Sequence, residues 1–74
     1  MKLHKAIKKA KKIQANATYL AIDASRDAYA YQNKPILSEH RDWWCNGGET
    51  TYIGKVKSVV SEARFNIIQL EKVI

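Results

Sequence analysis

A chain of 74 residues has room for one small core, residues 1 to 74 forming a single domain, which excludes a large enzyme fold. Its 46% apolar content, with two Trp, four Tyr and one Phe, excludes a disordered chain, because these side chains can offset the entropy of ordering. The net charge of +6 is concentrated: Lys2, Lys5, Lys8, Lys9, Lys11 and Lys12 come with no acid among them, while seven bases and seven acids balance over the remainder. Such a segment predicts an anionic partner.

The first element is an amphipathic helix from Lys2 to about Gln14. Leu3, Ala6, Ile7, Ala10 and Ile13 recur at spacings of three and four and so gather on one face, with the lysines opposite. Small Ala6 and Ala10 suit close approach to a sheet.

After Asn16 the period changes to two. From Ala17 to Ala24, Thr18, Leu20 and Ile22 face one way and Tyr19, Ala21 and Asp23 the other, as in a half-buried strand. Ala24-Ser25-Arg26-Asp27 reads as a turn, and Ala28 to Gln32 places Tyr29 and Tyr31 together on the second strand of a hairpin. Asn33-Lys34-Pro35 ends it.

Residues 36 to 48 follow neither period and read as the longest loop, ending at Asn46-Gly47-Gly48. Glu49 to about Val60 forms a third predicted strand, with Tyr52, Gly54 and Val56 on one side and Ile53, Lys55 and Lys57 on the other. Gly54 marks a bulge or a close backbone approach. The segment from residue 59 to 74 admits two readings. Val59, Val60, Ala63, Ile67, Leu70 and Ile74 fit one helical face but Phe65 and Ile68 do not. A strand from Arg64 onward, pairing with the strand before it, is therefore preferred to a second helix. The expected fold is α+β, a basic helix packed on a three- to four-stranded antiparallel sheet.

The landmarks Tyr19-x-Ala21-x-Asp23, a tight turn, Tyr29-x-Tyr31, Lys34-Pro35, Trp43 or Trp44, and Ile53-Gly54 resemble a pattern in small, largely uncharacterised bacteriophage accessory proteins. The resemblance spans about residues 19 to 54, with Arg26 standing where the pattern has a turn Gly. It implies a phage product that acts by binding and blocking a host or defence component.

Two features suit such binding. Six uncompensated lysines can meet an acidic surface or a phosphate backbone, but lysine lacks the bidentate geometry that reads bases. Trp43 and Trp44 are adjacent and point apart in an extended segment, so if one enters the core the other is exposed. Beside Arg41 and Tyr52 an exposed Trp has the composition of a binding hot spot or a stacking platform. A face shared by Tyr19, Tyr29 and Tyr31 would stay open unless a second subunit covered it, so a homodimer or a bound planar ligand would each satisfy it.

His40, Asp42 and Cys45 do not complete a familiar zinc spacing, and no third group supports Cys45 and His40 as a catalytic pair. The expectation is a non-enzymatic protein with no cofactor or metal and no membrane association. Its lone Cys45, with no signal peptide and no apolar run near the ~20 residues a bilayer needs, places it in the host cytoplasm. It would bind a bacterial host or antiviral-defence protein through Lys5, Lys8, Lys9, Lys12, Arg41, Trp43, Trp44 and Tyr52. The alternative is a nucleic-acid or signalling-nucleotide binding module using the same lysines.

Overall fold

A computed structural model describes residues 1–57, 64 and 66–70. Helix α1 (Leu3–Ile13) is followed by strands β1 (Tyr19–Ile22), β2 (Asp27–Tyr31), β3 (Ile36–Leu37), β4 (Trp43–Trp44), β5 (Thr50–Lys55) and β6 (Ile67–Gln69). Four of them form a sheet in the order β5-β2-β1-β6, with antiparallel pairing throughout, and β3 and β4 form a separate two-stranded sheet. The α+β architecture expected from the sequence is the one observed. The β3-β4 unit adds a third layer that the aperiodic segment 36–48 did not announce.

Helix α1 is made largely of Ala and Lys, which lose little on entering a helix, and ends where Gln14 turns to extended backbone. Its buried contacts are Ala6 and Ala10, with Ile7 half-buried, while Leu3 and Ile13 at the ends of the stripe stay exposed. The two alanines sit in one core with Leu20, Ile22, Ala28, Ala30, Ile53, Val56 and Leu70. At the end of the helix, the Gln14 Nε2 donates to the Glu49 carbonyl at 3.0 Å, which ties α1 to the start of β5.

The β1-β2 turn begins one residue earlier than the sequence suggests. The Arg26 N–H donates to the Asp23 carbonyl at 2.8 Å and the Asp23 N–H to the Asp27 carbonyl at 2.9 Å. Arg26 takes φ +74°, the left-handed position of a three-residue hairpin loop, where Gly is the usual residue. Its guanidinium donates to the Lys57 carbonyl at 3.0 Å, and its own carbonyl accepts the Val56 N–H at 2.9 Å.

Strand β5 departs from its predicted phase. Ala28 pairs with Gly54 but Tyr29 pairs with Tyr52, so Ile53 is the extra residue of a bulge. The bulge resets the alternation: Ile53 and Val56 both enter the helix-side core, and Tyr52 lies on the other side. Gly54 has φ +140°, and a Cβ there would meet Met1 Cε at 2.5 Å, so bulge and close approach coincide. The strand ends at Lys55, and the predicted extension through Val59 and Val60 lies outside the described residues.

Strand β6 pairs with β1, not with β5 as expected. The backbone of Met1 occupies the end of β5, its amine donating to the Lys55 carbonyl and its carbonyl accepting the Lys57 N–H. The free edge of β1 receives Ile68 opposite Leu20 and Ile67 opposite Ala21. Ile67 to Gln69 is strand, as preferred; Val59, Val60, Ala63, Phe65 and Ile74 lie outside the described residues.

Candidate functional site

The exposed side of α1 presents Lys2, Lys5, Lys8, Lys9 and Lys12, with Lys11 half-buried. The first turn has no acid and no side-chain cap, so the partial positive charge of the helix N-terminus adds to the lysine field. Lys9 reaches toward β5, its Nζ lying 4.0 Å from where a Gly54 Cβ would stand. No helix of the described residues is long and apolar enough to cross a membrane.

The opposite face of the sheet carries the aromatic residues. Tyr19, Ala21, Tyr29 and Tyr31 lie there as the alternation predicts, but the face is not left for a second subunit. The β3-β4 unit folds onto it, and Trp43 and Leu37 pack with Ala21, Tyr19, Tyr29, Tyr31 and Ile67. The Trp pair divides as adjacent strand residues must: Trp43 is 9% exposed and Trp44 60%.

Polar contacts fix β4 on both sides. The Trp43 N–H donates to Asp23 Oδ1 at 2.7 Å, and the Tyr31 hydroxyl donates to the Trp43 carbonyl at 3.1 Å. The connecting turn is closed by the Arg41 N–H on the Ser38 carbonyl at 3.1 Å. The Ser38 hydroxyl oxygen accepts the N–H groups of His40 and Asp42. Arg41 sits at φ +67°, and its carbonyl accepts the Ala24 N–H at 3.3 Å, which joins this turn to the β1-β2 turn. The indole N–H of Trp43 is buried and has no hydrogen-bond partner among the described residues.

Between the sheet and β4 runs an open groove of about 600 Å³, lined by Asp23, Ser25, Tyr29, Tyr31, Asp42, Trp43, Trp44, Cys45 and Thr50. Burial raises the Asp23 carboxyl above its ordinary value, opposed by the bond from Trp43 and reinforced by the negative charges of Asp42 and Asp27. The Tyr31 phenol is raised as well, first by burial and then by Asp23, so it remains protonated and a donor. Asp27 moves the other way: hydrogen bonds from the Ser25 and Tyr52 hydroxyls, and then Lys55, hold its carboxyl low. The same bond to Asp27 raises the Tyr52 phenol.

The eight residues singled out from the sequence therefore do not share one surface. Lys5, Lys8, Lys9 and Lys12 lie on the helix layer, and Trp43 and Trp44 on the β3-β4 layer across the sheet. Tyr52 packs against Tyr29 with the rings tilted at 58° and their centres 5.1 Å apart, and donates to Asp27 at 3.0 Å. Arg41 is exposed in the turn preceding β4. His40 lines a neighbouring cleft with Ile36, Leu37 and Trp44, whereas Asp42 and Cys45 line the groove. Among the described residues no three His, Cys, Asp or Glu side chains converge.

The sequence puts Asp23 on the tyrosine side of its strand but gives no sign that Asp42, considered there only within an incomplete metal spacing, comes to lie beside it. The phase of Tyr19-x-Ala21-x-Asp23 was the available signal, since it puts Asp23 on the tyrosine side. No family model matches this chain, nor does a curated protein or a solved structure. The phage resemblance accordingly rests on the residue landmarks alone.

Proposed function

We propose that this chain is a non-enzymatic inhibitor of the bacteriophage accessory kind, which binds stoichiometrically to a bacterial host or antiviral-defence protein in the host cytoplasm and blocks it. The observation that supports this reading is the arrangement of Lys5, Lys8, Lys9 and Lys12, exposed on a helix whose inner side is seated through Ala6 and Ala10. A rigid row of like charges steers encounter with an acidic surface, and the bulk of the domain then occludes it.

The alternative, nucleic-acid or nucleotide binding, draws on the same lysines. Stacking of bases by nearby aromatic residues has less support, because exposed Trp44 and Tyr52 lie on the other side of the sheet. A protein surface suits the isolated lysine row better.

The test is capture from bacterial lysate, with and without nuclease, using the wild-type chain and a Lys5→Glu, Lys8→Glu, Lys9→Glu, Lys12→Glu variant whose folding is checked by circular dichroism. One protein held in near-stoichiometric amount despite nuclease, and released by the variant, is the expected result. Recovery of nucleic acid alone, or undiminished capture by the variant, overturns it.

A further inference from the structure

The groove across the sheet has a chemistry opposite to that of the helix. Among the described residues its lining contains Asp23 and Asp42 and no Lys, Arg or His, in a chain whose net charge is +6. Among the described residues neither aspartate has a cation within salt-bridge distance, since the ion pairs found are Lys55 with Asp27 and His40 with Glu39. Beside these carboxylates stand Tyr29 and Trp44, whose ring faces attract cations, while the Tyr31 and Trp43 side chains that complete the lining are buried. We infer that this groove is a binding site for a guanidinium group, presented as an arginine side chain on a partner polypeptide.

The choice among cations follows from the donor set. A quaternary ammonium would satisfy the rings but has no N–H for the two carboxylates. A lysine ammonium is compact and strongly hydrated and does not stack. The planar guanidinium offers five N–H donors and a flat face for the aromatic walls. The groove is larger than one guanidinium and open along one side, which leaves space for the backbone that carries it.

Preorganisation supports the assignment. The Trp43 N–H is held by Asp23 and its carbonyl by Tyr31, so β4 is held in place before any ligand arrives. The positive charge of α1 lies across the sheet. Charges beyond the screening length of about 8 Å at physiological salt are largely damped, so the carboxylates in contact with the ligand dominate.

Titration of the purified chain with acetyl-Gly-Arg-Gly-amide, its citrulline analogue and free arginine, followed by tryptophan fluorescence and NMR shifts, tests the site. The arginine peptide should bind saturably, and the uncharged citrulline peptide about tenfold or more weaker. Asp42→Asn and Trp44→Ala, both at positions outside the helix-side core, should each weaken the arginine peptide, the former by about tenfold. Equal binding of the citrulline peptide, unchanged affinity in both folded variants, or no saturable binding in the millimolar range would overturn the proposal. Free arginine binding as tightly as the peptide would overturn the assignment to a displayed side chain. None of these outcomes depends on the lysine face of α1 or on its partner.

Discussion

The two sides of the central sheet are built by different physics. On the helix side, alanines of α1 meet Leu20, Ile22, Ala28, Ala30 and Ile53, and the contact is almost entirely apolar. On the other side, a short two-stranded unit is held by Trp43 packing together with directed bonds from Asp23, Tyr31 and the turn at Arg41. Burial of small apolar groups is non-directional and tolerates sliding, whereas the β3-β4 layer has a defined position because particular donors and acceptors must meet. The side fixed by directed bonds is also the side with a groove.

The largest effect should come from the helix side. Leu20 is fully buried on β1, and Leu20→Ala removes its side chain from a core already rich in alanine, at a cost of about 3 kcal/mol. A domain of this size has a total stability of roughly 4–11 kcal/mol. Urea unfolding should therefore show a large fall in midpoint. A fall confined to a few tenths of a kcal/mol would mean that α1 is not held by this core.

On the other side the expected effect is smaller and local. Asp23→Ala removes the acceptor of the Trp43 N–H, a charge-assisted bond, but also relieves repulsion from Asp42 and Asp27. The net loss should be about 1–2 kcal/mol. It should appear first as faster hydrogen exchange at Trp43 and a changed Trp emission, with α1 amides unaffected. Asp23→Asn keeps an acceptor and sheds the charge, so it should remain within about 0.5 kcal/mol of the wild type. If Asp23→Ala instead accelerated exchange equally in α1, the two layers would form one cooperative unit.

This division also explains what the sequence could tell. Helix and strand periods are local, so the Ala6-Ala10 stripe, the tyrosine face, the C-terminal strand at Ile67–Gln69 and the opposite fates of Trp43 and Trp44 were legible in residue spacing. The phase of β5 beyond Tyr52 was not, because the bulge at Ile53 is a backbone event coupled to Gly54 and to Met1 far away in the chain. Nor was the partner of β6, which reflects Met1 occupying the end of β5. The groove required Asp23 and Asp42 to meet across two turns, and their bonding partners lie up to 20 residues apart. Long-range polar pairing has no period to read.

A smaller difference than the loss in Leu20→Ala lies at the turn where the two sides join. Arg26 occupies a left-handed conformation that costs an L residue about 1–2 kcal/mol relative to Gly, and its side chain recovers part of this through the bond to Lys57. Arg26→Ala keeps the strain and loses the bond. Arg26→Gly loses the bond and removes the strain, although glycine adds conformational freedom to the unfolded chain. The glycine variant should therefore exceed the alanine variant in stability by about 1 kcal/mol, the reverse of their order in a helix or strand. Thermal unfolding of the two proteins side by side provides the comparison. Alanine equal to or better than glycine would show that residue 26 leaves the left-handed region at little cost. The bond from the Val56 N–H to the carbonyl of residue 26, which both variants keep, would then be holding the end of β5, with backbone conformation contributing little.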